Sequence, residues 1–95
     1  MGRIILPASV QPLANLNIDY LDDYFKQMVI RTSNGEAFYS YGAFIGMLHK
    51  GTVYLSSYWD HSATTTKFLG QWLRAGKQII TNRLRDSEYL YLGDL

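Results

Sequence analysis

The sequence predicts an α+β domain: an antiparallel β-meander of three to four strands packed against one main α-helix at about residues 63–75. Three observations predict it. Apolar and polar residues alternate roughly between Lys26 and Ser57, the period of strands with distinct faces, and the run is punctuated at Asn34-Gly35, Gly42 and Lys50-Gly51. Between Thr65 and Leu73 the period changes, because Phe68, Leu69, Trp72 and Leu73 share one face of a helix. The chain has 95 residues, of which 47% are hydrophobic and 18% charged, the composition of a single globular core.

Residues 1–17 hold both prolines, Pro7 and Pro12, and read as an extended N-terminal arm. Its Ile4, Ile5, Leu6 and Leu13 are apolar enough to dock on the body, the single domain expected over residues 18–95. Asn17–Asp23 reads as a short helical turn or an irregular lead-in. The first strand spans about Lys26–Thr32. Asn34-Gly35 then predicts a type I′ hairpin, whose two central residues need positive φ. The second strand begins at Glu36, with Phe38 and Ser40 on one side and Ala37, Tyr39 and Tyr41 on the other. Gly42 marks a bulge or sharp bend. The next strand, Ala43–His49, places Ala43, Ile45 and Met47 on one face and Phe44, Gly46 and Leu48 on the other, so it is central and covered on both sides. Lys50-Gly51 turns the chain into a strand at Thr52–Ser56 with Val53 and Leu55 inward.

The helix is expected from about Ala63 to Ala75. Ser62 is its N-cap, Gly76 its left-handed C-cap, and Arg74 and Lys77 suit the negative end of its dipole. Gly70 inside it is expected to let the sheet approach. Beyond Lys77 the pattern is weaker. Gln78–Thr81 reads as a short strand, Thr81–Leu90 as a helical piece, and Tyr89–Leu92 equally as a terminal strand.

Cysteine is absent, which excludes a disulfide scaffold, a thiol nucleophile and cysteine-based zinc sites. The N-terminus lacks the apolar stretch of a signal peptide, and no segment approaches the length of a membrane span. The expectation is a soluble, cytoplasmic protein without membrane contact. Net charge is +1, yet Lys67, Arg74, Lys77, Arg83 and Arg85 fall in a stretch without acids.

The most conspicuous segment is YWDHSATTTKF, Tyr58–Phe68. Asp60, His61 and Ser62 are the residue types of a hydrolase triad, but consecutive side chains diverge, whereas a triad converges from separate elements. With His49 the only other histidine, a metal site lacks ligands. No catalytic residue, cofactor or metal is therefore assigned, and the protein is read as a non-enzyme. The segment reads first as a helix start, with Tyr58 and Trp59 bracing it. A second reading gives the helix N-terminus, with Ser62, Thr64 and Thr65, a phosphate or carboxylate to hold.

Ser40-Tyr41, Phe44-Ile45, Gly51-Thr52-Val53, Tyr58–Thr65 and Phe68-Leu69 through Leu73 resemble a family of small uncharacterised proteins of bacteriophages and mobile elements of Gram-positive bacteria. The resemblance covers about residues 36–75. It departs at His61, where a tyrosine is common, and at Phe68, where a histidine often follows the basic residue. The resemblance implies a setting, the cytoplasm of an infected bacterial host, in which small proteins block or redirect host factors. The first functional expectation is thus a protein-binding module, an inhibitor of a host or defence protein of the anti-CRISPR kind, using Tyr39, Tyr41, Tyr54, Tyr58 and Trp59, with Tyr89 and Tyr91 as further surface tyrosines. The alternative is a nucleic-acid-binding domain using Lys67, Arg74, Lys77, Arg83 and Arg85. A second copy of the chain is a further candidate partner, through a sheet edge or the tyrosines.

Overall fold

A computed structural model describes residues 17–92. They form an α+β domain whose six-stranded sheet has the order β1-β2-β3-β4-β5-β6. The strands are β1 (Asn17–Tyr20), β2 (Gln27–Thr32), β3 (Gly35–Ser40), β4 (Ala43–His49), β5 (Thr52–Leu55) and β6 (Tyr89–Tyr91). Helices α1 (Ala63–Leu73) and α2 (Lys77–Arg85) lie between β5 and β6. The arm expected at residues 1–17 falls, apart from Asn17, outside the described residues.

The meander from β1 to β5 is antiparallel, and β6 pairs with β5 in parallel. The sheet is therefore mixed and larger than the three or four strands expected. Both additions are edge strands. β1, expected as a turn or lead-in, is exposed at all four positions, so it carries no inward-facing stripe and exists through its pairing with β2. β6 has three residues, too few for a period to register.

The hairpins follow backbone geometry rather than the strength of their sequence signals. Tyr41-Gly42 and Lys50-Gly51 both have two consecutive positive φ values, 52° and 81°, then 51° and 79°. That is the signature of type I′ turns. Asn34-Gly35 is not one. Its two-residue loop is Ser33-Asn34, Asn34 keeps a negative φ, and Gly35 opens β3 at φ 146°. Thr32 holds this loop, its hydroxyl accepting from the Asn34 N–H at 3.1 Å.

A register shift in the β3–β4 pair lies between Phe38 and Tyr39. Phe38 faces Gly46, but Tyr39 faces Phe44, which leaves Ile45 as the extra residue of a bulge. The bulge breaks the alternation expected for β4, separating Ile45 from Met47 and Phe44 from Gly46 and Leu48. Ile45 joins Leu48 on the helix side, while Met47 and Phe44 join the opposite face. Gly46 also faces the helices: a Cβ there would come within 2.6 Å of Leu55 and 3.5 Å of the Trp72 ring.

The main core lies between sheet and helices. Val29, Phe38, Ile45, Leu55, Leu69 and Ile80 are its buried centre, and Phe68, Trp72, Leu73 and Leu84 pack against it. The stripe of α1 is thus buried as its spacing predicts. A second cluster on the other face contains Met28, Ile30, Ala37, Tyr39 and Met47.

Ser62 caps α1, its Oγ accepting from the Thr65 N–H at 3.0 Å. The helix ends earlier than expected. Arg74, not Gly76, takes the left-handed position (φ 55°), and the Arg74 and Ala75 N–H groups both donate to the Gly70 carbonyl. Gly70 makes room for this reversal: a Cβ there would sit 2.8 Å from the Ala75 carbonyl oxygen, and no strand atom is near. Neither Arg74 nor Lys77 lies in the last turn of α1; Gly76 and Lys77 begin α2 instead. The strand expected at Gln78–Thr81 is the first part of α2. Ile79-Ile80 imitates a strand locally, but Ile80 and Leu84, four apart, face the core and Ile79 faces outward.

Candidate functional site

The five aromatic residues assigned from sequence to partner binding occupy different environments. Tyr39 and Trp59 are core residues, 3% and 4% exposed, and are corrected from surface to interior. Burial pushes the Tyr39 phenol up to about 12. The Trp59 indole N–H reaches the Tyr91 hydroxyl at 3.4 Å. Tyr54 is half-buried against the second cluster. Tyr89 is buried as well, with its hydroxyl accepting from Arg83 at 2.7 Å. Tyr41, Tyr58 and Tyr91 are exposed. Tyr58 stands edge-on to His61, near the start of α1, and Tyr41 is in the β3–β4 turn. These side chains do not assemble into one surface.

The basic set is also divided. Lys67 lies 5.3 Å from the Phe68 ring centroid, and Arg74 is the αL residue closing α1. Arg83 lies over the Tyr89 ring and 3.9 Å from Glu88. Arg85 pairs with Asp86 at 3.3 Å. Lys77 is exposed at the first position of α2. Acids absent from the linear stretch are thus supplied to two of the five cations by Asp86 and Glu88.

A different constellation forms at one end of the sheet, where the β1–β2 connection meets the Tyr41-Gly42 turn and the first turns of α1. Asp22 shapes the connection: its Oδ1 accepts the Lys26 and Gln27 N–H groups, both at 3.0 Å. The Leu21 N–H donates to the Gln27 carbonyl and the Tyr41 N–H to the Lys26 carbonyl, each at 2.7 Å. This clamp turns Tyr24 and Phe25 outward, 79% and 70% exposed. Phe25 packs edge-on against Tyr20, with 4.9 Å between ring centroids. Phe25 and Tyr41 both hold left-handed φ values, 60° and 52°. At Tyr41 the type I′ turn requires this conformation, whereas Phe25 holds it outside any two-residue hairpin turn.

Behind these rings is a cleft of about 440 Å³ lined by Leu21, Asp22, Asp23, Tyr24, Gln27, Tyr41, Thr64 and Phe68. Gln27 is fully buried, and neither its Oε1 nor its Nε2 has a hydrogen-bond partner among the described residues. Its neighbours on the same face are satisfied: Ser40, paired with Gln27 in the sheet, shares a 2.8 Å hydrogen bond with Thr65 of α1. Leaving a buried carboxamide unpaired costs about 1–3 kcal/mol, so this side chain stands out in an otherwise satisfied core.

Of these residues the sequence pointed only to Tyr41, as a partner contact, and to Thr64 and Thr65, at a helix N-terminus suited to an anion. A signal was present in Asp22-Asp23-Tyr24-Phe25, two acids and two large rings between strands, where adjacent side chains cannot both turn inward. Gln27 breaks the apolar series on the face it shares with Val29, which is a second signal. Among the described residues no three His, Asp or Glu side chains converge as a metal site, and no helix is long and apolar enough to cross a membrane.

A family model described as a family of unknown function (DUF8033) matches residues 16–88, a span that includes the whole cleft. No curated protein and no solved structure matches the chain.

Proposed function

The chain belongs to the DUF8033 family, and we propose that it is a protein-binding module whose contact surface is the aromatic end of the sheet, Tyr20, Tyr24, Phe25 and Tyr41. One observation carries this reading: four large rings are exposed together, two of them on backbone held at positive φ. Tyrosine and phenylalanine give a contact surface large area at little entropic cost, and such side chains dominate binding energies when a partner covers them. A core needs none of the four here, since α1 and α2 already cover the main apolar face. In the setting implied by the resemblance, the partner is a host or defence protein and this chain is a small phage or mobile-element accessory that occupies it.

The test is capture from nuclease-treated host lysate with identification by mass spectrometry. Wild-type chain should retain a defined protein. The double variant Tyr24→Ala/Tyr41→Ala should lose it, while Tyr58→Ala, which removes an exposed ring that does not line the cleft, should keep it. Recovery of nucleic acid alone, with affinity falling steeply as salt rises, would replace this reading with nucleic-acid binding.

A further inference from the structure

We infer, on the premise that the aromatic end is the contact surface, that the Gln27 cleft receives a basic stretch of the partner protein. The backbone N–H and C=O of one extended residue of that stretch pair with the Gln27 carboxamide, and a lysine or arginine side chain of the stretch is held by the acids and tyrosines of the rim.

The inference starts from the orphaned amide. Gln27 is 0% exposed, and its oxygen and nitrogen both lack partners among the described residues. A carboxamide offers N–H donors and a carbonyl acceptor side by side. The group that satisfies both at once must present an acceptor and a donor side by side, as the N–H and C=O of one residue in an extended segment do. The side chain lines the cleft that Tyr24 and Tyr41 border. Those two rings are exposed surface side chains, which reorient on a picosecond-to-nanosecond scale, so they are the part of the lining readiest to move aside as a segment enters toward the amide.

Charge selects the kind of segment. The lining contains Asp22 and Asp23 but no lysine or arginine. Asp22 gives one oxygen to the loop N–H groups, and Asp23 is exposed at the mouth. A phosphate or an acidic peptide would meet two carboxylates. A lysine or arginine would meet the same carboxylates and two tyrosine faces able to hold a cation. These features favour a basic protein segment over a nucleic acid.

The experiment is an NMR titration of the isotopically labelled full chain, read at the Gln27 side-chain amide and the Tyr41 backbone amide. N-acetyl-arginine methylamide should shift both saturably at millimolar concentration. N-acetyl-glutamate methylamide and uridine should leave them in place. Gln27→Met should abolish the Tyr41 response and raise Tm by roughly 4–8 °C, because an unsatisfied amide leaves the core. A drop in Tm with Gln27→Met would show that the carboxamide supports the fold, and would overturn the inference. So would an equal response to the glutamate probe, a response to uridine alone, or silence at Gln27 with all three. A captured partner lost by Tyr24→Ala/Tyr41→Ala but retained by Gln27→Met overturns this inference and leaves the binding-module reading standing. Capture of no protein removes that reading, whereas the titration still reports on the cleft.

Discussion

The two ends of the sheet are built from the same strands and solve different problems. At one end, the β2–β3 and β4–β5 turns are surrounded by paired polar groups. Arg31 bridges to Asp19 and lies 3.6 Å from Glu36, and the same Glu36 oxygen accepts the Trp72 indole N–H at 2.9 Å. His49 Nδ1 lies 3.0 Å from the Asn34 carbonyl. The other end carries exposed rings, two residues at left-handed φ outside glycine, and an unpaired buried amide. Left-handed φ alone does not separate the ends, since Lys50 at one and Tyr41 at the other both have it in tight turns that require it. Phe25 differs, because it lies in the six-residue β1–β2 connection rather than in a two-residue hairpin turn. Features that cost stability without shaping the fold are expected where binding is their return.

The largest effect is expected at the paired end. Trp72 stacks on Phe38, with ring centroids 5.8 Å apart, while its N–H ties α1 to β3 through Glu36. Trp72→Ala removes the stack, opens a void beside Gly46 and strands the Glu36 carboxylate. Urea unfolding should show a loss of about 3–5 kcal/mol. A near-neutral result would mean that this end is not pinned by its pairing, and the contrast between the ends would fail.

An intermediate effect probes how far the open end reaches inward. Tyr39 is one residue from the strand's end at the Tyr41-Gly42 turn, yet it is buried beside Phe44, with ring centroids 5.6 Å apart. Its phenol is pushed up to about 12 by burial. The unfolded chain releases this proton near pH 10, whereas the folded chain holds it until about 12. The contribution is therefore fully present below pH 10 and is lost as pH rises through 10 to 12. Unfolding midpoints of wild type should fall across that window, and Tyr39→Phe should flatten part of the fall. Identical alkaline limbs would place Tyr39 in contact with solvent and extend the open end into the sheet.

How much of this was legible in the sequence depended on whether burial is periodic. The faces of β3 and β5, the stripe Phe68-Leu69-Trp72-Leu73 and the Ser62 cap were all readable, because each follows from spacing or from a single side chain. The facing of β4 was not, since one bulge at Ile45 shifts the phase without leaving a mark in composition. β1 escaped because an edge strand exposed throughout has no inward side. The I′ turns fell at Tyr41-Gly42 and Lys50-Gly51 instead of Asn34-Gly35 because Thr32 pairs with Gly35, which places that loop at Ser33-Asn34. The cleft was the least legible element. It joins the β1–β2 connection to a turn and a helix far along the chain, and Gln27 shows its lack of partners only after those three meet.

The smallest expected effect separates strain from use most cleanly. Tyr41→Gly places glycine in a left-handed position that costs it nothing, which stabilises the folded chain. It also frees the unfolded backbone, which acts in the opposite direction. The two terms are each about 1 kcal/mol, so the measured change in stability should stay within roughly 0.5 kcal/mol of zero. If the tyrosine ring were needed to hold the turn, the loss would be well beyond that. Binding should behave differently, because a Tyr removed from the centre of a contact surface typically costs tenfold or more in affinity. Stability unchanged with affinity lost would show that the left-handed tyrosine is retained for contact. Stability lost in step with affinity would make Tyr41 an ordinary structural residue, and the aromatic end would then be no different in kind from the paired one.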